Sequence, residues 1–186
     1  MREHAHTLET CGYGVETLMR TLLLLRHGKS SWKETALTDH DRPLKKRGRG
    51  AAQQVGRLLV EQRLIPDHVL TSTAVRAQDT AILMAEAASY RGLIEAVPGL
   101  YHAEHPAFVA ILSQVLPQLE TVMVVGHNPG LENWLAQLTG CQQEFPTAAL
   151  AHVELAIENW SDLTLEMRGT LRNVWRRSST SPSRSA

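Results

Sequence analysis

The chain has 186 residues, 43% of them apolar and 20% charged, and nineteen basic side chains balance nineteen acidic ones. At roughly 150 residues per domain this is one domain with a tail or two, long enough to bury a core without disulfides or a structural metal. A zero balance argues against a dedicated nucleic-acid binder, which carries a strongly basic face. The longest obvious apolar run, residues 22–25, falls far short of the ~20 residues of a membrane span. The first twenty residues lack the apolar core of a secretory signal, and Cys11 and Cys141 stand far apart outside any CxxC pattern. The expectation is a soluble cytoplasmic monomer with no nucleic-acid or membrane partner.

Residues 1–18 show no sustained period and read as a poorly ordered N-terminal extension. His4, His6 and Cys11 within it read as part of a floppy tail rather than as metal ligands. An apolar strand begins at once after Met19, which makes Met19 a natural start; an ordinary N-terminal tail is the plainer alternative. Strands are expected at residues 21–25, 69–71 and 121–125, as continuous apolar runs of the kind buried on both faces of a parallel sheet. Helical periods lie between them. Residues 44–62 put Ala51, Ala52, Val55, Leu58 and Leu59 on one face, and residues 74–88 are strong helix formers. Residues 106–116 carry Phe108, Ile111 and Leu112, and residues 130–138 carry Leu131, Leu135 and Leu138 with Trp134 at core spacing. Residues 152–158 and 163–167 alternate across an Asn159-Trp-Ser-Asp162 turn and read as an antiparallel hairpin. From Arg168 onward there are five arginines and no acid, and the last residues are serine-rich. Residues 169–186 are therefore expected to be a disordered basic tail, leaving residues 19–168 as the domain. The fold class is α/β: a three-layer α/β/α sandwich with a mostly parallel sheet and an antiparallel edge.

In such sheets sites form beyond the carboxyl ends of the strands. The first run is followed by Arg26-His27-Gly28, the second by Ser72 and Arg76, and the third by Gly126-His127. A lone Arg-His-Gly means little, but three strand ends delivering two arginines and two histidines are harder to assign to chance. The set suits phosphoryl transfer, where catalysis is positioning plus positive charge on the equatorial oxygens. Arg26 and Arg76 each present a planar fork to phosphate oxygens. A neutral imidazole at His27 is a competent nucleophile if its other ring nitrogen is held by a fixed acceptor, which the turn at Gly28 would supply. His127 would donate to an equatorial oxygen; facing arginines lower its pKa and a bound dianion raises it again. Gly28-Lys29-Ser30 imitates the end of a P-loop, but position 23 is leucine and not the glycine that motif needs. Ser30 and Lys29 either touch phosphate or form a solvated turn, Arg42 either binds substrate or pairs with an acid, and Trp32 either walls the pocket or packs beneath it.

Taken together, Arg26-His27-Gly28, Ser72-x-x-x-Arg76-Ala77-x-x-Thr80 and Gly126-His127 resemble the histidine phosphatase superfamily in its phosphoglycerate mutase-like branch. Further residues are similar to the phosphohistidine phosphatase SixA family. They are Arg26-His-Gly-Lys-Ser-Ser-Trp32, Asp39-His-Asp-Arg-Pro-Leu44 with Arg47-Gly48, Leu100-Tyr101, Gly126-His-Asn-Pro129 and Thr147-Ala-Ala-Leu150. The resemblance implies a phosphoglycerate mutase-like sandwich in which His27 accepts the phosphoryl group and Arg26, Arg76 and His127 bind it. Arg42 would line the mouth, with Gly28 and Ser30 among the substrate-binding residues. It implies no metal and no cofactor, and a phosphorylated protein or small phosphorylated metabolite as substrate. Mutases and many phosphatases of the superfamily place a glutamate acid between the second arginine and the second histidine. Here that stretch offers only His102 and Glu104. Weak acid provision favours phosphohistidine, whose leaving imidazole takes its proton from solvent, over an ester that must expel an alkoxide. The short connection from Arg76 to His127 leaves no room for the lid of a mutase. The alternatives are a small-molecule ester phosphatase or mutase of the same superfamily, and a module that binds phosphoproteins without turnover.

Overall fold

The computed structural model describes residues 18–33 and 36–176. The expectations for residues 1–17 and for the serine-rich end from residue 177 lie outside the described residues. In chain order the elements are β1 (Arg20–Arg26), α1 (Lys46–Gln62), β2 (His68–Ser72), α2 (Val75–Ala88), β3 (Leu93–Val97), α3 (His105–Leu112), β4 (Thr121–Gly126), α4 (Gly130–Thr139), β5 (Leu150–Leu155) and β6 (Gly169–Trp175). The strands form one sheet in the order β3-β2-β4-β1-β5-β6. The β1–β4, β2–β4 and β2–β3 pairs are parallel, while β1–β5 and β5–β6 are antiparallel.

The leucine run of β1 shows why the sheet has two covered faces. Leu22, Leu23, Leu24 and Leu25 are all fully buried. Successive side chains point to opposite faces, so Leu22 and Leu24 join Phe108, Leu131, Leu135 and Trp134 of α3 and α4. Leu23 and Leu25 join Val55, Leu59, Ala77 and Met84 of α1 and α2 on the other side. A single-faced sheet would have needed polar residues at alternate positions. Each fully buried leucine contributes about 1.5–3 kcal/mol of transfer free energy, which makes β1 the anchor of the three layers. Trp134 is buried and stacks on Phe108 with ring centroids 4.5 Å apart.

Two expectations are corrected and one strand is added. The strand that pairs with β5 is Gly169–Trp175, not residues 163–167. The intervening chain folds instead into a single tight turn at Trp160–Asp162, where buried Trp160 donates its Nε1–H to the Leu119 carbonyl at 2.7 Å. The domain consequently extends past residue 168, and the basic tail does not begin at residue 169. Arg172, which read as tail charge, pairs with Glu154 of the neighbouring strand at 2.6 Å. The added strand is β3, which forms the parallel edge next to β2. Its sequence, Leu-Ile-Glu-Ala-Val, is mostly apolar but interrupted by Glu95, and its side chains are exposed or half-buried, as on a sheet edge. No helix among the described residues is long and apolar enough to cross a membrane.

Candidate active site

The sheet order sets the carboxyl ends of β1, β4 and β2 side by side, which brings the three expected strand-end motifs to one place. His27 and His127 each follow the last residue of a central strand, and Arg76 lies in the first turn of α2. The His27 backbone N–H donates to the Gly126 carbonyl at 3.1 Å, tying the two turns together. The two imidazole centroids are 5.0 Å apart. These residues line a cavity of about 320 Å³ with Arg26, Arg42, Asp39 and His102. An apolar cleft of about 650 Å³ beside β3 is larger, but it gathers no comparable set of nucleophile and cations.

The His27 ring is held by backbone on one side and by a side chain on the other. Its Nδ1 lies 2.7 Å from the Gly28 carbonyl, an acceptor only, so Nδ1 carries the ring proton and Nε2 keeps its lone pair. The Arg76 Nε–H donates to that Nε2 at 3.3 Å. The Gly28 N–H donates to Thr80 Oγ1 at 3.0 Å, and the Thr80 hydroxyl in turn donates to the Arg76 carbonyl at 2.6 Å. Both polar groups of Gly28 are thus used to support His27, and Gly28 is not among the residues lining the cavity. It supports the His27 ring rather than facing the cavity. Gly28 also explains Gly48. A Cβ at Gly28 would meet the Gly48 carbonyl oxygen at 2.7 Å, and one at Gly48 would meet the Lys29 carbonyl oxygen at 2.3 Å. On the far side the Ala148 N–H donates to the Arg26 carbonyl at 3.0 Å, which accounts for the Thr147-Ala-Ala-Leu150 stretch.

Burial, more than charge, sets the histidines. It is the largest cause lowering His27 to about 4; the Gly28 hydrogen bond opposes it, and Arg76, Arg26 and Arg42 push further down. Burial likewise leads for His127, lowered to about 3, with His27 and Arg76 next. Both rings are therefore neutral in the free protein near neutral pH. His127 Nε2 lies 2.8 Å from Ser72 Oγ, and its Nδ1 is buried without a hydrogen-bond partner.

Sequence reasoning missed the acid at the centre. Asp39 Oδ2 accepts from Arg76 Nη2 at 2.8 Å and from the Tyr101 hydroxyl at 3.0 Å. Its Oδ1 accepts from Arg42 Nη1, and its backbone carbonyl accepts from Arg76 Nη1. Burial alone would raise Asp39, but the Tyr101 hydrogen bond and the Arg76 and Arg42 guanidiniums outweigh it and hold it down at about 2. The signal was present, since Asp39 and Tyr101 both stand in the quoted motifs, but nothing in a sequence says that they meet. Arg42 is buried, donates to Ser30 Oγ, and stacks its guanidinium 3.3 Å above the Trp32 ring. It both lines the cavity and pairs with an acid. Ser30 positions Arg42, and Trp32, 67% exposed, stands at the rim rather than beneath the pocket. Arg26 donates from Nη1 to the Phe145 carbonyl at 2.8 Å. Glu104 is exposed just before α3 and outside the cavity lining; His102 is in it. Among the described residues no three His, Cys, Asp or Glu side chains are grouped to hold a metal ion.

The family model for the histidine phosphatase superfamily (branch 1) matches residues 22–103. An uncharacterised chloroplastic protein of Arabidopsis thaliana is 32% identical over 158 residues, which is 78% of this chain and 71% of that one. The chain belongs to the histidine phosphatase superfamily. Its fold is SixA-like: the structure of the candidate phosphohistidine phosphatase SixA of Nakamurella multipartitia superposes with a TM-score of 0.75 at 26% identity. That match covers 85% of this chain and 96% of the other. The 2,3-bisphosphoglycerate-dependent phosphoglycerate mutase of Clavibacter michiganensis is 44% identical over 64 residues. That is only 33% of this chain and 26% of the mutase, so its name carries no substrate to this histidine phosphatase.

Proposed function

We propose that this chain is a phosphatase that works through a phosphohistidine at His27, with protein-borne phosphohistidine as its substrate. One observation carries the first part: a neutral imidazole with Nδ1 locked on the Gly28 carbonyl and the Nε2 lone pair held only by a long 3.3 Å hydrogen bond from Arg76, in a cavity lined by Arg26, Arg42 and Arg76. In the first step that lone pair attacks phosphorus in line and the bond to the leaving group breaks. The developing charge spreads over three equatorial oxygens, which the guanidiniums hold. The neutral His127, with one ring nitrogen on Ser72 and the other without a partner, supplies a further contact for a phosphoryl oxygen. Water then attacks the phosphohistidine, and the P–N electron pair returns to Nε2. Arginines supply the positive charge, so the mechanism calls on no metal or cofactor.

Two features support a protein-borne substrate. Between Arg76 and His127 the chain is mostly α2, β3, α3 and β4, and among the described residues of that stretch His102 lines the cavity from a short turn, with no long insertion. The similarity to a SixA phosphatase structure points to the same class. The test is rapid-quench labelling with a protein carrying radiolabelled phosphohistidine. Acid-labile label on the wild-type chain, turnover to free phosphate, and loss of both in His27→Ala are expected. A His27→Ala protein that releases phosphate at the wild-type rate would refute the proposal.

A further inference from the structure

A phosphoryl acceptor and a set of cations do not by themselves deliver a proton to a leaving oxygen. Asp39 is held ionised by its hydrogen bonds and arginines, and the Tyr101 hydroxyl is already donated to Asp39. Glu104 lies outside the cavity lining, and the buried His127 is turned onto Ser72. His102 is different in each respect: it lines the cavity and is exposed to solvent, so it can exchange its proton between turnovers.

Its placement is built. His102 has φ 55°, in the left-handed region that L residues avoid at a cost of about 1–2 kcal/mol. Among the described residues the non-glycine positions of this kind close a helix or a turn. Arg63 and Ser89 end α1 and α2, and Ala148 closes the turn onto the Arg26 carbonyl. His102 directly follows Tyr101, which caps the single turn at Pro98–Leu100, and its left-handed backbone lets the chain leave that turn with the ring on the cavity lining, its centroid 4.1 Å from that of Tyr101 and 6.1 Å from that of His127. The next residue fixes the loop. A Cβ at Gly130 would come within 2.0 Å of the Ala103 carbonyl oxygen, so the first residue of α4 must be glycine for this loop to sit beside His127. Strain held by tight packing at a functional cavity is the pattern expected of a residue whose direction matters.

We propose that His102 is the proton-transfer residue of the site, and that it equips the site to cleave unactivated phosphate monoesters as well as phosphohistidine. The inference rests on the phosphatase function proposed above. As the His27 Nε2–P bond forms, the P–O bond breaks and its electron pair stays on the leaving oxygen, which takes the proton of the His102 imidazolium. In the second step the neutral His102 takes a proton from the water whose oxygen attacks phosphorus. The P–N bond breaks, its electron pair returns to His27 Nε2, and free phosphate and the imidazolium are restored. Phosphohistidine and aryl esters have good leaving groups and need little of this help; an alkyl ester needs it in full.

The experiment compares the wild-type chain with His102→Asn on an alkyl phosphate monoester and on p-nitrophenyl phosphate. Asparagine tolerates the left-handed conformation but transfers no proton. The expected result is a kcat/KM lower by about 10²-fold on the alkyl ester and by less than about threefold on the aryl ester. Equal losses on both, or no loss on either, would overturn the assignment. So would a wild-type chain that hydrolyses the aryl ester but not the alkyl one. If the underlying phosphatase function were wrong, the wild-type chain would instead form no His27 label with any substrate, an outcome distinct from all of these.

Discussion

Gly48 and Gly50 lie two residues apart in the first turns of α1, yet alanine at the two positions should act in opposite directions. At Gly50 a Cβ meets nothing within 4 Å. Gly50→Ala therefore gains helix propensity, about 0.5–1 kcal/mol, without contact. At Gly48 the three nearest atoms are backbone of Lys29, at 2.3, 2.8 and 3.1 Å. None can rotate away as a side chain would, so helix and loop must separate by about 1 Å to restore ordinary contact. The same segment is bonded to the helix start by the Lys45 N–H on the Lys29 carbonyl at 2.8 Å, and it follows directly on the Gly28 carbonyl that orients His27. Overpacking of this kind costs about 1–3 kcal/mol, and a 1 Å misplacement of a reacting group costs on the order of 10²-fold in rate. Gly48→Ala is expected to lower Tm by about 2–10 °C and kcat on an aryl phosphate by about 10²-fold. Gly50→Ala should raise Tm by about 1–4 °C and leave kcat unchanged. Thermal denaturation with steady-state kinetics on the three proteins checks both. Equal Tm and kcat for Gly48→Ala and wild type would refute the claim that this close approach positions the nucleophile.

Asp39→Ala should lower kcat/KM by on the order of 10²-fold, because it releases the carboxylate that aligns Arg76 and Arg42; steady-state kinetics that left it unchanged would contradict that positioning. The two buried histidines make stability fall on acidification. Their folded values of about 4 and about 3 lie below the ~6.5 of an unfolded chain, so the unfolded state binds more protons between those limits and stability is lost as pH drops. The loss from pH 7 to pH 5 is on the order of 2 kcal/mol for each histidine, and urea denaturation at the two pH values measures it. Titration of the His27 ring by NMR should give a value near 4; one near 6.5 would show that burial does not govern it. Phe108→Ala removes a buried ring stacked on Trp134 and should cost about 3–5 kcal/mol in denaturant unfolding.

Much of this protein is written locally. An apolar run such as residues 22–25 has one solution, a strand covered on both faces, because no alternate position tolerates water. The motifs after three such runs then point to one rim of a parallel sheet, and the glycine after His27 implies the acceptor for its ring. The edges were not legible, because their apolar patterns are short and broken, by Glu95 in β3 and by Arg172 and Asn173 in β6. Ile94 and Val97 of β3 and Leu171, Val174 and Trp175 of β6 pack against the core but stay only partly buried. Nor was the centre of the site. Asp39 lies 37 positions from Arg76 and 62 from Tyr101 in the chain, and a carboxylate acts on a guanidinium only through the distance between them. Residue types and spacing were enough to point to His27, to the cations around it and to the core. Tertiary structure alone decided which acid sits among those cations, how far burial depresses the two histidines, and that the His102 ring faces the cavity. Each of these depends on distances and solvent exclusion that exist only once the chain has closed on itself.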